Sequence, residues 1–487
     1  MRRVFFVICA LVAASLYPGC SRNVTPPQSE IDRVVVIHLD TTRVDDIGSY
    51  SGLVDTPNID ALAAEGMRYT NSITVVPKTS PSIANFFTGS YARNNGVYLI
   101  GHALSRKRWT VAEALQDSGY RTVGYTANMT VSDLGQVTAK SNNKKKLKKV
   151  RKLHFGQGFD EFHSFPPLTD TPRGTVEQII AASMDYVDDN TDSKFFMWML
   201  LVEPHGPYTP LPPYDTMYAE GRELIVSSKD VYVNGPDDPV DPTDGDDGHE
   251  KSVTGISYVD GENDSDFYVS RHMGEVSYAD FWIGKLIDQI KELPGKTLFI
   301  VTADHGESFG DVDYWFDHGS NVRYPCVNVP LIISCDGVIP AGVSDALVAN
   351  IDLAPTILDL LNVEDEDFSS DGQSLVPTFT EKGPWPDRMI PTLSTRKWRG
   401  VRSQQYSFQC VYDEETQATR SLSLFDIKAD PKEQNNLFGS NVPVFQTHLD
   451  FFEQWNNNPD IHRVEEIDFR DDEEMQERLR SLGYGGN

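Results

Sequence analysis

The sequence predicts an α/β protein, in which a large central sheet, mixed but mostly parallel, is flanked by helices and followed by a small C-terminal α+β domain with an antiparallel sheet. Three observations carry this expectation. Val34-Val35-Val36-Ile37-His38-Leu39 is an apolar run of strand length that stops at Asp40. Late in the chain, Val276, Ala279, Ile283, Leu286, Ile287 and Ile290 recur at helical spacing, Pro294-Gly295 break the helix, and Thr297 to Thr302 reads as a buried strand ending at Ala303-Asp304-His305. From about Lys382 the texture changes to shorter alternating pieces.

Taken in order, Ile59 to Glu65 reads as a helix closed by Gly66. Ser80 is placed to cap a short helix running through Ile83, Ala84, Phe86 and Phe87 to Gly89, with Pro81 in its first turn. Thr110 and Glu113 form a capping box, Gly119 stops that helix, and Arg121 to Tyr125 reads as a strand. Thr175 and Gln178 open another helix ahead of the strongly apolar Phe195 to Val202. An acidic loop, 229–265, follows; its core from Asp237 to Asp247 has too few hydrophobes to pack and does not match a Ca²⁺-binding EF-hand loop. Ser394 to Arg402, Tyr406 to Tyr412 and Ser421 to Phe425 suit antiparallel strands, and an acidic helical tail lies near 471–482. The expected organisation is a leader at 1–20, a catalytic domain at 21–381 and a small domain with its tail at 382–487.

With 487 residues and 39% apolar content the chain can fill a real core. Its formal net charge of -29 argues against nucleic acid and against long-range attraction to anionic membranes. The exception is the run from Lys140 to Lys152, read as a solvated loop. Met1, Arg2 and Arg3, the apolar stretch from Val4 to Leu16 and the small-residue site at Gly19-Cys20 form a secretory signal too short to span a bilayer. Its end resembles a bacterial lipoprotein cleavage site, with Tyr17 where leucine is usual. Export to the cell envelope is expected, with membrane contact only through a lipid anchor on Cys20. Cys326, Cys335 and Cys410 show neither a disulfide framework nor metal-ligand spacing. Nothing in the sequence reports oligomeric state.

The chemistry-bearing residues fall at two kinds of place. Asp40 and the Asp304-His305 pair stand at the carboxyl ends of strands, where sites form in open α/β sheets. Thr79 stands at the start of a helix, facing the positive end of its dipole. Thr-Ser-Pro before a helix is by itself ordinary capping chemistry, so Thr79 gains meaning only from its company.

That company resembles the sulfatase family within the alkaline phosphatase superfamily. The likeness runs through Asp40 to Arg43, Thr56-Pro57-Asn58-Ile59-Asp60, Thr79 to Ser82 with Thr88-Gly89, and Glu203-Pro204-His205-Gly206-Pro207-Tyr208. It continues through Thr302 to Glu307, Val329-Pro330-Leu331-Ile332, Asp352 to Thr356, and Leu424-Phe425-Asp426 with Asn435-Asn436-Leu437. The resemblance implies that Asp40, Thr79, Asp304 and His305 surround one divalent cation and that Thr79 attacks the ester in line. It gives His205 and His318 the substrate anion and the leaving group. Arg43 and Lys78 are further candidates for substrate charge, weighed against a reading as ion-paired surface residues.

The pattern also departs from true sulfatases, which convert a Cys or Ser in Cys/Ser-x-Pro-x-Arg to formylglycine. Here the segment is Thr79-Ser80-Pro81-Ser82-Ile83, so no formylglycine is expected. Thr41 stands where a second aspartate is usual, His305 where asparagine is usual, and Thr126-Ala127-Asn128 where sulfatases carry lysine and histidine. The ligand set resembles one metal site of the phosphatase, phosphodiesterase and glycerol-phosphate transferase branches. Leu201 occupies the place of the aspartate that a second metal needs. Mixed oxygen and imidazole ligands favour Mn²⁺ or Zn²⁺, with Ca²⁺ the third candidate. The expected activity is hydrolysis of an anionic sulfate or phosphate ester. The rivals are phosphodiesterase or phosphoglycerol-type phosphotransferase chemistry and, from another class, a surface binding protein on an inactive scaffold.

Overall fold

A computed structural model describes residues 30–132, 155–165, 175–219, 232–233, 252–253, 262, 264–312, 314–380, 385–440 and 442–458. The leader, the lysine-rich run 140–152, the acidic core 237–247 and the tail 471–482 lie outside these residues.

Eight strands form the central sheet: β1 (Ile31–Leu39), β2 (Met67–Tyr69), β3 (Arg121–Thr126), β4 (Glu161–Ser164), β5 (Phe195–Leu201), β6 (Lys296–Ala303), β7 (Leu331–Ser334) and β8 (Gly342–Ser344). Their order is β8-β2-β7-β6-β1-β5-β3-β4. β6, β1, β5, β3 and β4 run parallel, while β7 is antiparallel to both β6 and β2. The sheet is therefore mixed and mostly parallel, as the sequence predicts.

Side chains of β1 alternate between two cores, as they must in a strand covered on both faces. Val35, Ile37 and Leu39 pack with α1 (Pro57–Glu65), α4 (Thr175–Asp189) and α5 (Ser265–Lys291) through Ile59, Leu62, Ile179, Val276 and Ile283. Val34 and Val36 pack on the other face with α2 (Thr79–Thr88), α3 (Val111–Asp117) and α6 (Leu353–Leu360) through Ile83, Phe86, Leu115 and Ile357. His38 shares that second face: its Nδ1 accepts from the Trp198 indole at 3.2 Å, and burial pulls the imidazole down to about 3, so it is a neutral core residue.

Local start signals hold at some helices and yield to tertiary partners at others. The Thr110–Glu113 capping box forms, and Gly66 closes α1 by donating to Leu62 O at 2.9 Å. At α4, however, Thr175 donates from its N–H and its hydroxyl to buried Glu203, at 2.9 and 2.6 Å, and not to Gln178. Ser80 is likewise not the cap expected of it. The helix already begins at Thr79, and the Ser80 hydroxyl donates to Thr130 O at 3.0 Å. α5 begins at Ser265, well before the periodic residues from Val276.

The C-terminal sheet has four antiparallel strands: β9 (Ile390–Leu393), β10 (Trp398–Arg402), β11 (Tyr406–Asp413) and β12 (Ala418–Asp426). α7 (Val442–Asn456) covers it through Phe445 and Phe452 against Val401, Phe408 and Leu424. A loop of this sheet touches the loop that carries His318. Thr395, just after β9, donates from its backbone and its hydroxyl to Gly319 O, each at 2.9 Å, beside His318. Cys326, Cys335 and Cys410 are buried free thiols.

Candidate active site

Strand register brings the site together. Leu39 pairs with Leu201 on one side and with Ala303 on the other, so β1, β5 and β6 end level. The residues that follow them, Asp40, Val202 to His205, and Asp304-His305, therefore leave the sheet along one edge. At Thr41 the backbone turns into the left-handed region with φ 53°, a conformation costly for a β-branched residue and concentrated at functional sites. That turn directs the Thr41 N–H to Asp304 Oδ1 at 3.3 Å.

Asp40, Thr79, Asp304 and His305 are all fully buried. Ligand atoms of Asp40, Asp304 and His305 lie within 4.8 Å of one another. His305 Nε2 is 3.2 Å from Thr79 Oγ1, 3.3 Å from Asp304 Oδ2 and 3.8 Å from Asp40 Oδ1. Gly306 between His305 and Glu307 permits this packing, since a Cβ there would sit 2.1 Å from Pro325 O. The first turn of α2 is held in place as well: the Ser82 hydroxyl donates to Asp304 O at 2.6 Å, and Asn350 Nδ2 donates to Ser82 Oγ at 3.0 Å.

A divalent cation fits these side chains. His305 Nδ1 donates to Gly306 O at 3.0 Å, which leaves Nε2 with its lone pair toward the carboxylates, the form in which imidazole ligates metal. Burial and the neighbouring Asp40 push the Asp304 carboxyl well above the usual range, while burial and His318 pull the His305 imidazole well below its own. Two buried carboxylates beside a neutral imidazole are the donor set that a cation stabilises.

Asn128, two residues beyond β3, stands beside the cluster; the sequence marked its segment only as the place where sulfatases carry lysine and histidine, and gave the residue no role. Its Nδ2 donates to Asp40 Oδ2 at 2.7 Å, and its Oδ1 accepts from Thr130 N and Oγ1 at 3.0 and 2.7 Å, which fixes the amide's orientation. The available signal was its place past a strand end at the same sheet edge. Substitution of Asn128 by Ala is expected to weaken metal affinity by about 10–100-fold, as for other outer partners of ligands. Titration of the metal-free protein with Zn²⁺ would measure this; an unchanged affinity would remove Asn128 from the site.

The two candidate histidines stand beside this cluster. The His318 ring stacks on His305 with centroids 4.2 Å apart, and its centroid is 5.4 Å from that of His205. His205 is held at Nδ1 by Gly206 O at 2.8 Å. His318 Nδ1 meets the Glu307 carboxylate at 3.3 and 3.4 Å. Burial, then Asp317, pushes Glu307 up to about 8. Lys78, next to Thr79, is mostly buried and its Nζ donates to His318 O at 3.4 Å.

Of the two readings of Arg43, the ion-paired one describes what the structure shows, with one correction: the residue is buried and not on the surface. The guanidinium has five N–H donors, and all five are engaged: Nε and Nη2 on Asp45 at 2.9 and 3.1 Å, Nη1 and Nη2 on Asp311 at 2.8 and 3.0 Å, and Nη1 on Glu307 O at 3.2 Å. Arg43 is an internal tie between the loop after β1 and the loop after β6.

Comparison with known proteins bears on the family and the fold. The sulfatase family profile matches residues 32–363, and a second, described as the C-terminal part of N-sulphoglucosamine sulphohydrolase, matches 312–450. The chain is 24% identical over 455 residues to the multifunctional alkaline phosphatase superfamily protein PehA of Trinickia caryophylli, covering 79% of this chain and 85% of that one. It is 22% identical over 514 residues to an N-acetylglucosamine-6-O-sulfatase of Bacteroides thetaiotaomicron, covering 88% and 86%. Among solved structures, the phosphonate monoester hydrolase of Agrobacterium radiobacter superposes with a TM-score of 0.67 at 19% identity, covering 87% of this chain and 95% of that one. A fold and a buried acid–imidazole cluster of this kind define a hydrolase of the sulfatase and alkaline phosphatase type. The chain belongs to the sulfatase family.

Proposed function

We propose that the protein hydrolyses a sulfate ester or an ester of phosphorus, with Thr79 as the nucleophile. The observation that carries this reading is the Thr79 hydroxyl, fully buried at the start of α2 and 3.2 Å from His305 Nε2 in the Asp40–Asp304–His305 cluster. A divalent cation held by Asp40, Asp304 and His305, with Mn²⁺ or Zn²⁺ favoured over Ca²⁺, would acidify the hydroxyl and offset charge on the ester's non-bridging oxygens.

Thr79 Oγ1 gives up its proton to solvent and bonds to sulfur or phosphorus, while the bond from that atom to the alcohol oxygen breaks on the opposite side. The helix N-terminus favours negative charge at Thr79 and on the ester. His205 and His318 stand beside this cluster, where the pair would contact the anion and relay a proton from solvent to the departing alcohol oxygen. Water then cleaves the ester on Thr79 and restores the hydroxyl.

A second reading, phosphodiesterase or phosphotransferase chemistry, is favoured by Thr79 itself, because direct attack by an alcohol needs no formylglycine. The similarity to both a 6-O-sulfatase and a phosphonate monoester hydrolase supports testing sulfur and phosphorus side by side. The purified metal-loaded protein should be assayed on an aryl sulfate, an aryl phosphonate monoester and an aryl phosphate diester sharing one leaving group. Turnover of at least one is expected, and the ratio assigns the element attacked. No turnover of any, with metal bound, would overturn the enzymatic reading in favour of a binding protein on an inactive scaffold.

A further inference from the structure

We propose that His272 is a positioning residue: it ties the loop that carries His205 to the loop that begins with Asp40, and so sets His205 against the acid–imidazole cluster. This rests on the role given to His205 above. His272 lies in α5 and is fully buried. Its Nδ1 donates to Pro204 O at 3.2 Å, immediately before His205, and its Nε2 meets Asp46 Oδ2 at 2.9 Å, in the turn that follows Asp40.

Both partners accept. Pro204 O is a carbonyl, and Asp46 Oδ2 already takes the Arg43 backbone N–H at 2.7 Å. Each ring nitrogen therefore donates, and one imidazole joins two loops that leave the neighbouring strands β1 and β5. The ring has little freedom to turn, because Tyr208 and Phe309 meet it in T-shaped contacts with centroids 5.6 and 4.9 Å away. α5 holds the same loop at two further points. Arg271 Nε donates to Tyr208 O at 2.7 Å, and Glu275 Oε1 accepts from Thr209 N at 2.8 Å. Pro204 on one side and Tyr208-Thr209 on the other bracket His205, so a buried helix fixes its backbone from outside the reaction centre. Among the described residues His272 makes no hydrogen bond to Asp40, Thr79, Asp304 or His305, so its effect on the chemistry runs through the position of His205.

The test measures turnover of the preferred ester together with binding of inorganic phosphate to the Zn²⁺-loaded protein. His272→Ala should lower kcat by about 100-fold, the cost of misplacing a reacting group by a change made away from the chemistry, while Zn²⁺ affinity keeps its wild-type value. In a His205→Ala background the same substitution should cost little more, because the group it positions is gone. Phosphate affinity should fall in the same non-additive way. Ser277→Ala removes hydrogen bonds of α5 with Asp55 O and the Tyr218 hydroxyl, at 2.8 and 2.7 Å, without touching the loop, and should leave kcat at the wild-type value. A full further loss in the double variant, loss of Zn²⁺ together with turnover, or an equal fall in Ser277→Ala would overturn the proposal. His272→Gln puts one donor nitrogen in place of two and covers the case in which the alanine variant does not fold. A smaller loss of the same kind is expected from it; wild-type kcat and phosphate affinity in that variant would also overturn the proposal. Should no ester be turned over, the hydrolytic reading fails, while phosphate binding still tests His272.

Discussion

Thr79→Ala is expected to lower turnover on the order of 10³-fold or more while the protein stays folded and still binds metal. The hydroxyl is the only part of the side chain able to bond sulfur or phosphorus, and none of Asp40, Asp304 or His305 can replace it while serving as a ligand. The fold should tolerate the change, because Thr79 is the first residue of α2 and alanine is a good helix former. Thr79→Ser keeps a hydroxyl in place and should retain most of the activity. Steady-state kinetics on the best ester from the substrate comparison, with metal content measured on each variant, would check both expectations. Loss of metal together with loss of turnover in Thr79→Ala would mean that the threonine is mainly a ligand.

Arg43→Ala should have the largest effect on stability, about 3–5 kcal/mol, because it leaves Asp45 and Asp311 as carboxylates in a buried setting without their counter-charge. The guanidinium itself is 1% exposed, and its two carboxylate partners are 12% and 10% exposed. Denaturant unfolding followed by intrinsic fluorescence would give the shift in midpoint. The same variant separates a tie from a substrate contact. If Arg43 bound the ester anion, KM would rise with little change in stability; a tie gives the opposite order of effects.

How far the site could be read from the sequence depended on where each residue's partners lie. Asp40 and Asp304-His305 were legible because strand-length apolar runs end at them, and parallel strands that end level place such residues together. Thr79 was legible as a helix start but as nothing more until the strand ends were set beside it. Arg43 was legible as an ion-paired residue but not as a buried one, since its second carboxylate, Asp311, is 268 positions away and no local pattern announces it. Ser80 and Thr175 show the same limit at helix starts, where Thr130 O and Glu203 displaced the local caps. Asn128 and Glu307 lie in segments that carry the family likeness or a departure from it, but the contacts they make, with Asp40 and His318, form only after folding. The C-terminal sheet was foreseen from alternation alone, whereas its contact with Gly319 was not.

The most direct measurement of the central claim is mass spectrometry of protein quenched in acid during turnover of the preferred ester, with the modified peptide sequenced. The expected result is a sulfo or phosphoryl-type group on the hydroxyl of Thr79, with the unreacted fraction of that peptide carrying an ordinary threonine. The group located on any other residue, or undiminished turnover by Thr79→Ala, would contradict it.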